Sequence, residues 1–144
     1  MSPITGKCLC GDVSFSISTS VQRIYRCHCS LCQKQTGAAA NAATFVDENA
    51  LKWLTGKELI TNYVKESGFC SNFCSRCGSP VPNRLRNTDQ FWVPVGLLEG
   101  AKVEQVVAHV CSSDKPAWEA IPRQEKQYSG LPELAELKAR LLVD

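Results

Sequence analysis

Seven of the nine cysteines in this 144-residue chain fall into three short clusters. The clusters are Cys8-x-Cys10, Cys27-x-Cys29-x-x-Cys32 and Cys74-x-x-Cys77. Four thiolates complete a tetrahedral zinc shell, whereas three leave one coordination position free for water or a substrate. Because the two pairs together supply four sulfurs and the remaining cluster supplies three, the spacing predicts one closed and one open zinc site.

The two cysteine pairs are typical of a structural zinc site. The segment from Cys74 to Gly78 has the spacing of a zinc-knuckle turn, which supplies half of a tetrahedral shell. Cys8 and Cys10 can supply the other half from a turn that Gly11 favours, although alternate residues of a regular strand point to opposite faces. Zinc bound there ties the N-terminal strand to the middle of the chain, and its binding free energy contributes to folding.

The remaining cluster predicts a catalytic zinc held by the three sulfurs of Cys27, Cys29 and Cys32. Zinc with an open position keeps an incoming thiol ionised at neutral pH and polarises a bound oxygen. His28 has two interpretations. As a ligand it closes the site, and as a neighbouring group it hydrogen-bonds to substrate or to a sulfur. A purely structural site closed by His28, Cys70 or Cys111 is the alternative.

Clustered cysteines have two other common uses, in redox dithiols and in zinc deaminases. Each Cys-x-x-Cys pair can be a redox dithiol, but neither pair lies in a recognisable βαβ unit. Zinc deaminases require His-x-Glu together with Pro-Cys-x-x-Cys, whereas here His28 is followed by Cys-Ser and His109 by Val-Cys. The dithiol is kept as an alternative, and deaminase chemistry is excluded.

The other candidate residues have simpler interpretations. Cys70 and Cys111 belong to no short pair and are interpreted as small buried hydrophobes. His109 lies in an apolar strand and is interpreted as a core histidine whose hydrogen bonds are satisfied. Three tryptophans are interpreted as core aromatics: Trp53, Trp92 and Trp118.

Charge and composition argue against nucleic acid and membranes as binding partners. The formal net charge is +2, and it falls to about −1 when seven thiolates hold two Zn²⁺, so nucleic acid is not an expected partner. The chain shows neither a secretory signal nor a bilayer-length apolar run, so no membrane partner is expected. Clustered thiols without an export signal predict a reducing, cytoplasmic location.

The apolar pattern predicts a mainly β fold in a single zinc-stabilised domain. Val13, Phe15 and Ile17 alternate with polar residues over residues 11–18, as in a half-buried strand. Further strands are predicted at residues 42–46, 51–54, 59–64, 91–98 and 103–110. Pro94 falls inside one of them and indicates an edge strand or a bulge.

Only the C-terminus has a helical period. Four leucines share one face from Pro132 onward, and Pro132 suits a first-turn position: they are Leu134, Leu137, Leu141 and Leu142. The sequence therefore predicts a zinc-binding domain over residues 1–130, followed by a short C-terminal helix over residues 131–144 that packs on the domain or trails it.

These motifs resemble the glutathione-dependent formaldehyde-activating (GFA) domain family. The matching segments are residues 6–15 (GKCLCGDVSF), 27–37 (CHCSLCQKQTG) and 73–79 (FCSRCGS), then His109 followed by residues 114–118 (DKPAW). They occur in the family's order and spacing over roughly residues 6–130. Gln33 occupies the position where many members carry arginine.

The resemblance implies a β-tent fold related to the Mss4-like zinc folds, with two zinc ions. It places a structural zinc on Cys8, Cys10, Cys74 and Cys77, and a catalytic zinc on Cys27, Cys29 and Cys32. It implies a carbon–sulfur lyase that joins glutathione to formaldehyde as S-hydroxymethylglutathione. A non-catalytic zinc module that binds a protein partner or a thiol ligand is the alternative function.

Overall fold

The computed structural model describes residues 3–142, and the fold is mostly β. Strands hold 36% of the residues and helices 19%, so the predicted mainly β class with a C-terminal helix is confirmed. Residues 1–2 and 143–144 of the two predicted segments lie outside the described part. Within residues 3–142, no helix combines the length and the apolar character needed to cross a bilayer.

The strands, in chain order, are β1 Ile4–Lys7, β2 Ser14–Ile17, β3 Arg23–Cys27, β4 Ala43–Asp47, β5 Leu51–Thr55, β6 Ile60–Val64, β7 Cys70–Cys74, β8 Asn83–Arg84, β9 Gln90–Pro94, β10 Leu98–Glu99 and β11 Gln105–Val110. The helices are α1 Ser30–Thr36 and α2 Leu134–Leu141. Short 3-10 turns occupy Glu48–Ala50, Lys57–Leu59, Val95–Leu97 and Ser112–Asp114.

The described chain forms two compact units, each made of two separated segments. The first unit contains residues 3–20 and 45–102, and the second contains residues 21–44 and 103–142. Each unit holds one of the two cysteine groups. A separate C-terminal segment beginning at residue 131 stays a prediction.

In the first unit, an antiparallel sheet has the strand order β10-β1-β2-β5, and β6 and β7 form a hairpin. Val13, Phe15 and Ile17 are buried, which confirms the predicted alternation. The Phe15 ring meets Trp53 edge to face, with the ring centroids 5.9 Å apart. The buried apolar cluster of this unit includes one cysteine from each pair, because Cys8 and Cys74 pack in the same cluster as Val13.

In the second unit, β3 pairs in parallel with β11 and, through Tyr25 and Ala43, antiparallel with β4. Helix α2 packs against β3 and β11, with Leu137 and Leu141 buried. The predicted start and end of this helix are wrong. Pro132 precedes the N-cap residue Glu133, and Leu142 lies beyond the last turn with 64% of its surface exposed.

The strand predicted over residues 91–98 is two strands rather than one. β9 ends at Pro94, a 3-10 turn follows, and β10 begins at Leu98. Proline has no N–H to donate to a neighbouring strand, so the break at Pro94 is physically expected. Helix α1 and strands β3, β7 and β8 are not among the predicted elements.

Candidate metal centres

The four sulfurs of the two cysteine pairs converge on one point. All four, from Cys8, Cys10, Cys74 and Cys77, lie within 4.8 Å of one another. The Sγ–Sγ distance is 3.6 Å from Cys8 to Cys10 and 3.8 Å from Cys10 to Cys74. A tetrahedron with Zn–S bonds of about 2.3 Å has sulfurs about 3.8 Å apart, so the group fits zinc without rearrangement.

A tight turn explains how Cys8 and Cys10 reach one ion although they are two residues apart. The Gly11 N–H donates to the Cys8 carbonyl oxygen at 3.0 Å, and Gly11 has φ +85°, which glycine adopts without steric cost. The Val13 N–H donates to Cys8 Sγ at 3.3 Å. Both cysteines thus lie past the end of β1, where the strand alternation no longer separates their side chains.

A second turn carries the other pair, and Ser79 connects the two turns. The Gly78 N–H donates to the Cys74 carbonyl oxygen at 2.8 Å, and Gly78 has φ +79°. The Ser79 hydroxyl oxygen accepts from the Leu9 N–H at 2.9 Å and lies 3.4 Å from Cys77 Sγ. By donating its proton to the thiolate, this hydroxyl lowers the pKa of Cys77 to about 5.

The three-cysteine group forms where β3 ends and α1 begins. All three sulfurs, those of Cys27, Cys29 and Cys32, lie within 4.8 Å of one another. Cys29 is the N-cap of α1, and its Sγ accepts from the Cys32 N–H at 3.3 Å. Hydrogen bonds from Cys27 and Cys32 lower the pKa of Cys29 to about 2, and the bond to Cys29 raises the pKa of Cys27. Three cysteine sulfurs this close together suit a soft divalent cation.

Asn41, which sequence reasoning missed, holds this group together. Its Nδ2 donates to Cys32 Sγ at 3.2 Å, and its Oδ1 accepts from the Cys27 N–H at 3.0 Å. The Asn41 N–H also donates to the Cys27 carbonyl oxygen at 3.1 Å. Asn41 is buried. It lies nine residues after Cys32 with no motif spacing to mark it, and only the fold brings it to the sulfurs.

His28 does not join the sulfurs. It is fully buried, and its Nε2 lies 2.9 Å from Nδ1 of the buried His109. His109 Nε2 lies 2.7 Å from Glu125 Oε1, so both ring nitrogens of His109 have partners and its interpretation as a satisfied core histidine is confirmed. Burial and the neighbouring His109 lower the pKa of His28, which keeps that ring neutral at pH 7.

The Gln33 side chain bonds to the main chain at two places. Its Nε2 donates to the carbonyl oxygens of His28 at 2.8 Å and Asp114 at 3.0 Å. The side chain therefore ties α1 both to the residue between two of the cysteines and to the 3-10 turn after β11.

Cys70 and Cys111 were expected to be small buried hydrophobes, and this is wrong, because both are partly exposed. Cys111 follows the end of β11, and burial raises its pKa. Among residues 3–142, no further histidine, cysteine, aspartate or glutamate ligand atom joins either group.

The tryptophans divide into two classes. Trp92 is buried and Trp53 packs against the apolar cluster that holds Cys8 and Cys74, as expected for core aromatics. Trp118 is 73% exposed, so its interpretation as a core residue is wrong. It lies in the irregular segment between β11 and α2, where no strand alternation indicates burial.

Three comparisons place the chain among known proteins. Residues 3–114 match the family model described as "Glutathione-dependent formaldehyde-activating enzyme". A crystal structure of a Rhodobacter sphaeroides protein aligns with a TM-score of 0.55 and 24% sequence identity, covering 71% of this chain and 99% of that one. This likeness supports the fold alone. A search of curated proteins found no match.

Proposed function

This chain belongs to the glutathione-dependent formaldehyde-activating family, and from that premise we propose that it is a cytoplasmic, zinc-dependent carbon–sulfur lyase. The reaction joins glutathione to formaldehyde as S-hydroxymethylglutathione, and it also runs in reverse. The thiol sulfur forms a bond to the carbonyl carbon, the carbonyl π pair moves to oxygen, and that oxygen takes up the thiol proton. Nothing is oxidised or reduced, so the reaction needs no redox cofactor.

The three-sulfur group carries this proposal. Cys27, Cys29 and Cys32 provide three of the four positions of a tetrahedral shell. Zinc bound there would supply a cationic centre that favours the thiolate form of a substrate at neutral pH and polarises its carbonyl oxygen. The four-sulfur group, with a complete shell, is proposed to be structural.

The protein's own residues hold the sulfurs in place and define the side of approach. Asn41 and the first turn of α1 fix Cys32 and Cys29 relative to Cys27. Cys27 and Cys32 are buried, whereas Cys29 is only partly buried. We therefore place the incoming thiol and aldehyde on the Cys29 side of the group.

Exchange spectroscopy tests the activity directly. Zinc-loaded protein added to glutathione and formaldehyde is expected to accelerate exchange between free and hydroxymethylated thiol, measured by NMR. The variant Cys32→Ser should lose this acceleration, while Cys70→Ser, at a cysteine outside both groups, should retain it. Exchange no faster than the spontaneous reaction in a zinc-replete sample would sink the proposal.

Cys111 is the specific observation that favours the second candidate, a non-catalytic zinc module. Cys111 follows Val110, the strand partner of Cys27, and its thiol interacts with those of Cys27 and Cys29, although its sulfur lies outside the three-sulfur group. A module predicts four sulfurs around each zinc, and Cys111→Ser should then weaken metal binding. The lyase predicts three sulfurs and one lighter atom at one of the two zinc ions, with Cys111→Ser fully metallated and active. Zinc-edge X-ray absorption of both proteins separates the two functions.

A further inference from the structure

Three polar side chains of the second unit form a continuous hydrogen-bonded chain behind the three-cysteine group. They are His28, His109 and Glu125, joined by contacts of 2.9 Å and 2.7 Å. The chain begins at a fully buried ring and ends at a carboxylate whose side chain is 26% exposed. Neither His109 nor Glu125 takes part in the roles described so far.

The chemistry of the three groups determines the direction of these hydrogen bonds. An ionised carboxylate only accepts, so Glu125 requires a proton on Nε2 of His109. The Nδ1 of a neutral His109 is then an acceptor, which requires a proton on Nε2 of His28. Nδ1 of His28 is left as a buried nitrogen with a free lone pair, and it has no hydrogen-bond partner among the described residues.

The register of β3 and β11 places the two hydrogen-bonded histidines on the face of the sheet opposite Cys27. Arg26 is the partner of His109 in the β3–β11 pairing, and Cys27 is the partner of Val110. The His28 N–H continues the ladder by donating to the Val110 carbonyl oxygen at 3.0 Å. Strand alternation therefore puts His28 and His109 on one face and Cys27 on the other.

His28 is the residue between Cys27 and Cys29, so whatever holds its ring also holds the two peptide bonds that lead to these sulfurs. Its N–H is bound to Val110, its carbonyl oxygen accepts from Gln33, and its ring is bound to His109. A flip of the ring would break the bond to His109. The carboxylate of Glu125 is the origin of this constraint, because between neutral rings it selects the only tautomers that can link all three groups.

We propose that His109 and Glu125 are positioning residues for the three-cysteine metal site, which act by locking His28 in its Nε2–H tautomer. The inference rests on the proposed function only in assigning a metal to that site. It assigns a role to residues that contribute no ligand atom to the three-cysteine group. It also explains why a fully buried histidine occupies the position between two ligands without being one.

The tautomer is directly observable because the chain contains two histidines. In ¹⁵N-histidine-labelled protein at pH 7, long-range ¹H–¹⁵N correlations should show the Nε2–H tautomer at both rings. Glu125→Leu fills similar space without an acceptor, and it should give mixed tautomers at both rings. Glu125→Gln keeps an acceptor oxygen and should restore the Nε2–H form.

Metal affinity is the second readout, and it needs neither glutathione nor formaldehyde. Chelator competition should show the three-cysteine site of Glu125→Leu weakened about tenfold, the low end of the range for groups that orient metal ligands. The four-cysteine site should be unchanged, and Glu125→Gln should recover the affinity. Glu136→Leu, at an exposed carboxylate on α2, is the matched control and should behave as the wild type.

Three results would overturn the proposal. One is Glu125→Leu with wild-type tautomers and wild-type metal affinity. Another is Glu125→Gln that keeps the Nε2–H tautomers but binds metal as weakly as Glu125→Leu. The third is loss of both metals together in Glu125→Leu, which means that the residue acts through overall stability. An inactive wild-type protein that still shows the expected tautomer and affinity changes would refute the lyase but not the positioning role.

Discussion

At the three-cysteine group, the buried side-chain amide of Asn41 forms hydrogen bonds with two of the three cysteines. Asn41 accepts from the main chain of Cys27 and donates to the sulfur of Cys32, so it joins the end of β3 to α1. A hydrogen bond to a thiolate stabilises the negative charge of the sulfur. Loss of the Asn41 side-chain amide would remove the bond to the Cys32 sulfur and the bond to the Cys27 N–H. Asn41 therefore matters to the metal site although it cannot replace a cysteine ligand.

Asn41→Leu preserves most of the side-chain volume and removes both polar atoms. We expect the three-cysteine site to lose 10- to 100-fold in zinc affinity, since groups that orient metal ligands contribute on this scale. Chelator competition measures the change. Asn49→Leu, at an exposed asparagine of the first unit, is the control and should bind as the wild type. Equal affinities in the two variants would contradict the role given to Asn41.

Ser79 makes a pH-dependent contribution at the four-cysteine group. Its hydroxyl lowers the pKa of Cys77 to about 5, against an ordinary value of 9.0. A lowered folded-state pKa stabilises the protein fully above the ordinary value, and this contribution is lost as the pH falls towards 5. Ser79→Ala raises the pKa of Cys77, so protons displace the metal at higher pH. A titration of zinc release with a metal-sensitive dye should show an upward shift of the midpoint, and an unchanged midpoint would refute this.

Among the elements, the pairing of β1 with β2 depends on a missing side chain. Gly6 is opposite Phe15, and a Cβ at Gly6 would lie 2.2 Å from the tip of that fully buried ring. The ring cannot move away without disturbing the packed interior of the sheet. Glycine at this position is therefore a packing requirement rather than a turn signal.

Gly6→Ala is expected to destabilise the protein by about 1–3 kcal/mol, the usual cost of forcing extra volume into a packed core. Chemical denaturation at constant zinc concentration measures it. Gly96→Ala is the matched control, because a Cβ at Gly96 meets no atom within 4 Å. Similar midpoints for the two variants would show that the sheet accommodates the methyl group.

The elements also show how far the sequence predicts the fold. The strand β2 was predictable because one face is buried and the other is polar, which produces strict alternation. The strand β7 was not, since its first four residues are all half-buried and show no alternation. Helix α1 has seven residues, is capped by a cysteine and a left-handed Gly37, and buries only Cys32, so it shows no helical period.

The candidate sites also differ in how much of each one the sequence predicts. Both cysteine groups were predictable because metal ligands occur at short, characteristic spacings. The pair formed by His28 and His109 was not, because these residues are 81 positions apart and meet only through the parallel pairing of β3 with β11. Glu125 lies in an irregular segment, and no local pattern links it to either histidine.

For the whole molecule, we expect metal binding at the two sites to contribute unequally to folding stability. Cys10 and Cys74 are 64 residues apart, whereas Cys27 and Cys32 lie within one short segment. Closing a 64-residue loop costs about 2 kcal/mol more than closing one of five residues. The four-cysteine metal thus offsets a larger share of the entropy lost on folding.

We expect zinc to leave in two steps as chelator is added. The first equivalent, from the three-cysteine site, should leave the far-ultraviolet circular dichroism unchanged, and the second should leave together with the strand signal. Cys29→Ser should be folded with one zinc, and Cys74→Ser should be strongly destabilised. A single transition that releases both metals and unfolds the chain would show that both sites contribute to folding stability.

The interrupted second unit also has a consequence for synthesis on the ribosome. Residues 45–102 separate its two segments, so Cys27, Cys29 and Cys32 are translated long before His109 and Glu125. The four cysteines of the first unit are all present once Cys77 has been made. At typical translation rates of about 5–20 residues per second, roughly 2–10 seconds pass between Cys77 and Glu125. The nascent chain therefore carries the three thiols before the residues proposed to position them have been made.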